Sequence, residues 1–90
     1  MLRGLKLLLV EDDEDDYLII RDLLEDLHPG QVELDWVTTV KVAIEILAQN
    51  RHHLCLVDYR LGAEDGLQLL RTANESGIAT PCIMLTGQHD

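Results

Sequence analysis

Short apolar stretches alternate with amphipathic stretches along this chain, and that alternation is what most constrains its fold. The apolar stretches LKLLLV, LCLV and PCIML are too short for ordinary helices, and VELDWV alternates with the period of a strand. The stretches between them repeat apolar residues three and four positions apart, which is the spacing of one helix face. The predicted order βαβαβαβ favours an α/β fold with a parallel sheet and helices on its faces.

Turn and capping residues mark where the predicted helices begin and end. Pro29-Gly30 should end the first helix, Thr38 and Thr39 can cap the second, and Gly77 should end the third. The predicted strands cover residues 5–10, 32–37, 54–57 and 81–85, and the predicted helices cover 14–27, 40–50 and a segment after the loop 62–66. With right-handed crossovers and the strand order 2-1-3-4, the first helix lies on one face and the other two lie on the opposite face.

Oxygen-bearing side chains follow three of the four predicted strands. Glu11-Asp12 follows the first, Asp58 ends the third and Thr86 follows the fourth. Ligands of open parallel sheets bind beyond the carboxyl ends of the strands, so these groups should meet at one edge. Converging carboxylates repel each other unless a cation is present, and Mg²⁺ prefers such oxygen ligands. With a metal bound, one carboxylate could act as a nucleophile toward a phosphoryl group.

Composition and charge exclude several classes of function. The 90 residues allow one small domain, and a formal net charge of −10 disfavours direct binding to nucleic acid or to anionic membranes. The apolar run near the start ends after four residues against six acids, unlike a signal peptide, so we expect a cytoplasmic location. Cys55 and Cys82 lie in apolar runs and are expected to be reduced core residues.

Three segments of this chain carry a family resemblance. LKLLLVEDDEDD, LCLVDYRLGAEDGLQLLR and TPCIMLTG resemble the acidic-pair, phosphoacceptor and switch-threonine segments of the receiver domain of two-component response regulators. The likeness runs from about residue 5 to residue 88, in the same order and spacing. It implies a flavodoxin-like fold and a phosphorylation-controlled signalling module rather than an enzyme, with at most weak self-dephosphorylation.

The resemblance assigns a role to each site residue. It implies that Asp58 accepts the phosphoryl group and that Asp12 binds Mg²⁺ directly, while Glu11 holds the ion largely through water. The backbone carbonyl of Arg60 would be a further metal ligand, and Thr86 would contact the phosphoryl group and act as the switch. The implied phosphodonor is a sensor histidine kinase or a phosphotransfer protein.

The sequence differs from the family pattern at its C-terminal end. The family fold has a fifth strand, which carries a lysine and an aromatic switch residue, and final helices, whereas this sequence reads to Asp90. We therefore expect residues 1–90 to form a single, truncated receiver-like domain. One sheet face should then be uncovered over the third and fourth strands, which predicts self-association through that face or through the edge of the fourth strand.

Two other functions are weighed against phosphate acceptance. A receiver-fold scaffold that dimerises or binds other proteins without phosphorylation is the main alternative, since the family lysine is missing. An aspartyl phosphohydrolase similar to the haloacid dehalogenase group fits poorly, because its nucleophile ends the first strand and a second Asp follows two residues later. A zinc site at His52, His53 and Cys55 matches no standard ligand spacing.

Overall fold

The computed structural model describes residues 4–62 and 64–85 of the chain. Strands and helices alternate within these residues, and a small hairpin is inserted between the third strand and the third helix. In chain order the elements are β1 (Leu5–Val10), α1 (Glu14–Leu27), β2 (Val32–Val37), α2 (Val40–Leu47), β3 (Leu54–Asp58), β4 (Arg60–Leu61), β5 (Glu64–Asp65), α3 (Gly66–Glu75) and β6 (Cys82–Leu85).

Four strands form one parallel sheet in the order β2-β1-β3-β6. Since β6 is the predicted fourth strand, the predicted strand order is confirmed, and with it the flavodoxin-like α/β fold. Val10 is level with Val37 on one side and with Val57 on the other, and Asp58 is level with Leu85. This register brings the carboxyl ends of β1 and β3 to the same edge of the sheet.

The main apolar core lies between the sheet and helices α2 and α3. Alternate residues of β1 and β3 point into it, because successive side chains of a strand face opposite sides of the sheet. Its buried members are Leu8, Val10, Val37, Val40, Ala43, Leu47, Cys55, Val57, Leu61 and Leu69. Full burial of a leucine or valine side chain contributes about 1.5–3 kcal/mol, so this layer accounts for much of the stability of the fold.

Helix α1 lies on the other face and covers it only in part. Tyr17 of this helix stacks on Trp36 of β2, with ring centroids 4.2 Å apart and planes 5° from parallel. Leu7 and Leu9 of β1 are buried, but α1 itself contains no buried residue. Apolar side chains therefore remain exposed on this side of the sheet, among them Ile83 of the edge strand β6.

Each helix begins at a side-chain cap that the sequence supplies. The side chains of Asp13, Thr39 and Asp65 accept hydrogen bonds from the backbone N–H groups of Asp15, Val42 and Gln68, respectively. Such caps satisfy N–H groups that have no partner within the helix. Acidic residues fill the first turn of α1, where they suit the positive end of the helix dipole.

Two features differ from the sequence-based expectation by more than one residue. The predicted loop 62–66 overlaps a short antiparallel hairpin, in which Arg60 pairs with Asp65 and Leu61 with Glu64. Helix α2 ends at Leu47 rather than at residue 50, because the chain turns there and Asn50 takes a left-handed conformation with φ of 58°. Among the described residues, no helix is both long and apolar enough to span a membrane.

Candidate functional site

Three of the predicted site carboxylates meet at the carboxyl edge of the sheet. Glu11 and Asp12 directly follow β1, and Asp58 is the last residue of the neighbouring strand β3. One carboxylate oxygen from each of the three lies within 4.8 Å of the other two. Glu11 is buried, Asp58 is partly buried and Asp12 is exposed, so the cluster opens to solvent on the Asp12 side.

The electrostatics of the cluster disfavour three negative charges. Burial raises the pKa of Glu11 to about 7, the charge of Asp58 adds to this rise, and the N–H of Asp13 opposes it. The pKa of Asp58 is also raised, first by burial and then by the charge of Asp12. Hydrogen bonds from the backbone N–H groups of Tyr59 and Arg60 act in the opposite direction on Asp58. Glu11 and Asp58 therefore hold protons more tightly than free carboxylates do.

This donor set fits a hard divalent cation. Carboxylate oxygens on a partly open edge are the ligands that Mg²⁺ uses, and the ion keeps several waters of its own. Arg60, the source of the expected carbonyl ligand, is the first residue of β4, and its side chain is exposed. The predicted switch residue Thr86 lies outside the described residues.

Trp36 supports the acidic pair in a way that the sequence did not indicate. Trp36 lies on β2, an edge strand of the sheet. Its indole N–H donates a 2.7 Å hydrogen bond to the backbone carbonyl of Glu11. The stack on Tyr17 fixes the indole, so these rings hold the backbone at the start of the acidic pair. No local pattern could reveal a contact between residues 25 positions apart.

Gly66 allows the chain after Asp58 to fold back against the sheet. A Cβ atom at this position would lie 2.7 Å from the Asp58 carbonyl oxygen and 3.3 Å from the Tyr59 Cα. The Gly66 N–H instead donates a 2.7 Å hydrogen bond to the carbonyl of Tyr59. The sequence pattern predicts Gly66 only as the end of the loop 62–66, because the close approach to Asp58 depends on the tertiary fold.

Glu64 links the β4–β5 hairpin to helix α2. Its Oε1 accepts a 3.2 Å hydrogen bond from the backbone N–H of Val40, the first residue of α2. Since Asp65 caps α3, the hairpin after Asp58 contacts the first turns of both helices on that side of the sheet.

The histidines considered for zinc have other partners. His52 Nε2 lies 2.7 Å from a carboxylate oxygen of Asp35. His53 Nδ1 accepts a 2.9 Å hydrogen bond from the backbone N–H of Lys6. Among the described residues, Glu11, Asp12 and Asp58 form the cluster of acidic, histidine or cysteine side chains that could hold a metal. The zinc hypothesis is therefore not supported.

Comparison with known proteins identifies the family to which this chain belongs. Residues 7–90 match the family described as response regulator receiver domain. The chain belongs to that family. It is 40% identical over 80 residues to the response regulator protein PilR of Pseudomonas aeruginosa, an alignment that spans 87% of this chain and 17% of PilR.

Solved receiver structures share the fold. The receiver domain of the sensor histidine kinase PA1611 of Pseudomonas aeruginosa, with a magnesium ion coordinated in its active-site cleft, is 29% identical and has a TM-score of 0.79, over 94% of this chain and 69% of that one. The response regulator MaeR bound to beryllium trifluoride is 26% identical with a TM-score of 0.79, over 100% of this chain and 70% of that one. Receiver domains serve phosphorylation-based signalling in two-component systems.

Proposed function

We propose that this receiver domain accepts a phosphoryl group on Asp58, with Mg²⁺ held by Glu11, Asp12, Asp58 and the backbone carbonyl of Arg60. The observation that carries this proposal is the meeting of three carboxylates within 4.8 Å at the ends of two adjacent strands. The raised pKa values of Glu11 and Asp58 point the same way, because a site that resists negative charge is suited to a cation. The magnesium ion in the cleft of the PA1611 receiver supports this choice of metal.

The proposed reaction transfers a phosphoryl group from nitrogen to oxygen. A carboxylate oxygen of Asp58 attacks the phosphorus of a phosphohistidine, the O–P bond forms, and the P–N bond breaks as the imidazole leaves. Mg²⁺, when bound, neutralises charge on the carboxylates and on the phosphoryl oxygens. The backbone N–H groups of Tyr59 and Arg60 favour the charged form of Asp58, which is its nucleophilic form.

The openness of the site suits a phosphodonor that is itself a protein. Asp12 is exposed and Asp58 is partly buried, so a phosphohistidine on another surface can reach the nucleophile. Receiver domains interact with histidine kinases or phosphotransfer proteins, and we propose that one of these is the donor here. Thr86 would then contact the phosphoryl group and relay its presence to the surface.

Intact-mass spectrometry after incubation with Mg²⁺ and acetyl phosphate tests the reaction. A phosphoryl adduct adds about 80 Da, and it should be absent in Asp58→Asn, which keeps the shape of the side chain but removes the nucleophilic carboxylate. The matched control is Glu33→Gln, which removes an exposed acid of β2 outside the cluster and should leave the adduct unchanged.

Two results would contradict this proposal. One is an adduct that persists in Asp58→Asn, which would place the acceptor elsewhere. The other is a folded wild type that gains no adduct and shows no change in Trp36 fluorescence with Mg²⁺, which would favour the non-phosphorylated scaffold.

We also propose that the domain self-associates through the α1 side of its sheet. Ile83 of β6 is 49% exposed there, and α1 exposes Ile19, Leu23 and Leu27 by 64%, 54% and 63%. These three α1 residues are four positions apart and form one stripe of the helix. A second copy of the chain would cover apolar surface that water now contacts.

Sedimentation at micromolar concentration tests this second proposal. The wild type should sediment as an oligomer, and Ile83→Lys should shift it toward monomer. Val42→Lys is the matched control, because Val42 is 40% exposed but lies on α2 on the opposite side of the sheet. A monodisperse wild-type monomer would exclude self-association in this range.

A further inference from the structure

Two cysteines lie side by side on neighbouring strands of the sheet. Cys55 of β3 and Cys82 of β6 are register partners in a parallel pair. Both side chains point toward the core beneath α2 and α3, since Cys55 belongs to that core and Cys82 packs against it. Neighbouring strands lie about 4.7–4.9 Å apart, and disulfides span Cα separations of about 4.4–6.8 Å. The backbone therefore places the two thiols within bonding reach.

The pair is buried on one side and reachable on the other. Cys55 has no exposed surface, whereas Cys82 is half-buried on the edge strand. Cys82 also lines an open cavity of about 190 Å³ together with Leu70, Ala73, Asn74, Ile78 and Thr80. A molecule as small as a hydroperoxide fits this space and can reach the Cys82 sulfur.

The thiols also influence each other chemically. The neighbouring Cys55 side chain lowers the pKa of Cys82 to about 7, although burial opposes this effect. In the structure the Cys82 thiol donates a 3.6 Å hydrogen bond to the backbone carbonyl of Thr80. The neighbouring Cys82 side chain, together with burial, raises the pKa of Cys55. Cys82 is thus the better nucleophile of the two and also the one that faces the cavity. Both cysteines are free in the described structure.

From this placement we infer that Cys55 and Cys82 form a reversible thiol pair, which a hydroperoxide oxidises to an intrachain disulfide between β3 and β6. The role is separate from phosphate acceptance, because it needs neither Mg²⁺ nor a phosphodonor. Its chemistry follows from the register of two strands and from the access that the cavity provides to one sulfur.

The reaction proceeds in two balanced steps. The Cys82 thiolate attacks one peroxide oxygen, the O–O bond breaks, and the departing oxygen takes up a proton, which leaves a sulfenic acid on Cys82. The Cys55 sulfur then attacks the Cys82 sulfur, the S–O bond breaks, and hydroxide leaves with the Cys55 proton as water. Two thiols are oxidised to one disulfide, while hydrogen peroxide is reduced to two waters.

The same geometry makes the bond easy to reverse. Disulfides hold their Cβ atoms about 3.5–4.5 Å apart, closer than the spacing of adjacent strands, so the bond must draw β3 and β6 together. Strained disulfides are more readily reduced. The pair should therefore return to thiols in a mild dithiol reductant.

Titration of the folded protein with hydrogen peroxide tests the inference. Intact mass should fall by about 2 Da, the loss of two hydrogen atoms, and dithiothreitol should restore it. Proteolysis without reductant should yield a linked pair of peptides, one containing Cys55 and the other Cys82. Trp36 fluorescence, measured in parallel, reports whether the chain stays folded.

Single variants separate the steps. Cys55→Ser should stop at a sulfenic acid on Cys82, which adds about 16 Da and is trapped by dimedone. Cys82→Ser should show neither the loss of about 2 Da nor the sulfenic acid. Because Cys82 is less buried than Cys55, this variant should stay folded even if Cys55→Ser does not. Oxygen addition in the wild type without loss of 2 Da, disulfides only between chains, or thiols that remain unreacted under excess peroxide would each overturn the inference.

Discussion

Trp36 shows how one residue far along the chain supports the acidic site. Its indole N–H holds the carbonyl of Glu11 at 2.7 Å, and its ring stacks on Tyr17. Trp36→Phe should keep the stack but leave that carbonyl without its partner. A hydrogen bond of this kind contributes about 0.5–1.5 kcal/mol, so urea unfolding followed by circular dichroism should show a loss of that size. Calorimetry should also show weaker Mg²⁺ binding, because the acidic pair is less firmly placed.

Tyr17→Phe is the matched control for this effect. It keeps an aromatic ring on the indole, removes only a hydroxyl group, and should leave Mg²⁺ affinity unchanged. Equal Mg²⁺ affinity in Trp36→Phe and the wild type would show that the hydrogen bond supports the fold and not the site.

Glu11 should make Mg²⁺ binding depend on pH. Because its pKa is raised from 4.5 to about 7 in the folded chain, the folded state binds more protons than the unfolded state between these values. Without metal, this group therefore destabilises the fold as pH rises through that window. Mg²⁺ must displace the proton, so its affinity should rise up to about tenfold per pH unit below pH 7 and level off above it.

Calorimetric titrations with Mg²⁺ at pH 6, 7 and 8 measure this dependence. Glu11→Gln carries no titrating proton and should flatten the profile, whereas Glu45→Gln, an exposed acid on α2, should not. An unchanged profile in Glu11→Gln would assign the titration to another group.

At the scale of elements, the strands and helices with a strong apolar periodicity were predictable from the sequence. The features that depend on tertiary contacts were not. The alternation of apolar and amphipathic segments predicted β1, β2, β3 and β6 as strands, and the order 2-1-3-4 expected for a receiver-like sheet is the order observed. The hairpin of β4 and β5 was missed, since two-residue strands carry no period. The acidic site was predictable because strand ends must share an edge, whereas the Trp36 and Glu64 contacts depend on side-chain packing.

Gly66, the first residue of α3, should not accept a side chain without strain. In Gly66→Ala the new Cβ would meet the Asp58 carbonyl oxygen at 2.7 Å and the Met84 sulfur at 3.2 Å. Relief of such a clash costs about 1–3 kcal/mol, and here the atoms that must move belong to the proposed nucleophile. Urea unfolding should show that loss, and the phosphoryl adduct at Asp58 should decrease with it.

Gly77→Ala is the control that distinguishes a local displacement of Asp58 from a general loss of stability. Gly77 has φ of 72° with open space around its Cα, so alanine there is strained only in its backbone, by about 1–2 kcal/mol. This variant should lose stability but keep the adduct. If Gly66→Ala gains as much phosphoryl adduct as the wild type, the start of α3 must adjust without moving Asp58.

At the scale of the whole molecule, the net charge of −10 should make stability sensitive to salt. Like charges repel each other in the compact state, and salt screens them over about 8–10 Å at ionic strengths near 0.1–0.15 M. NaCl should therefore raise the thermal midpoint of the wild type and of Asp58→Asn by similar amounts. Without metal, Asp58→Asn should be the more stable of the two, because the pKa of Asp58 is raised by burial and by Asp12.

Magnesium at the same ionic strength distinguishes general screening from a specific site. A ligand that binds only the folded state at a hundred times its dissociation constant adds about 2.7 kcal/mol, so MgCl₂ should stabilise the wild type beyond the effect of NaCl. Asp58→Asn and Asp12→Asn should lose this additional stabilisation, whereas Glu33→Gln should keep it, because Glu33 is an exposed residue of β2 outside the cluster. Thermal melts in paired salts measure the difference directly. If NaCl and MgCl₂ stabilise the wild type equally at matched ionic strength, the three carboxylates do not form a specific metal site.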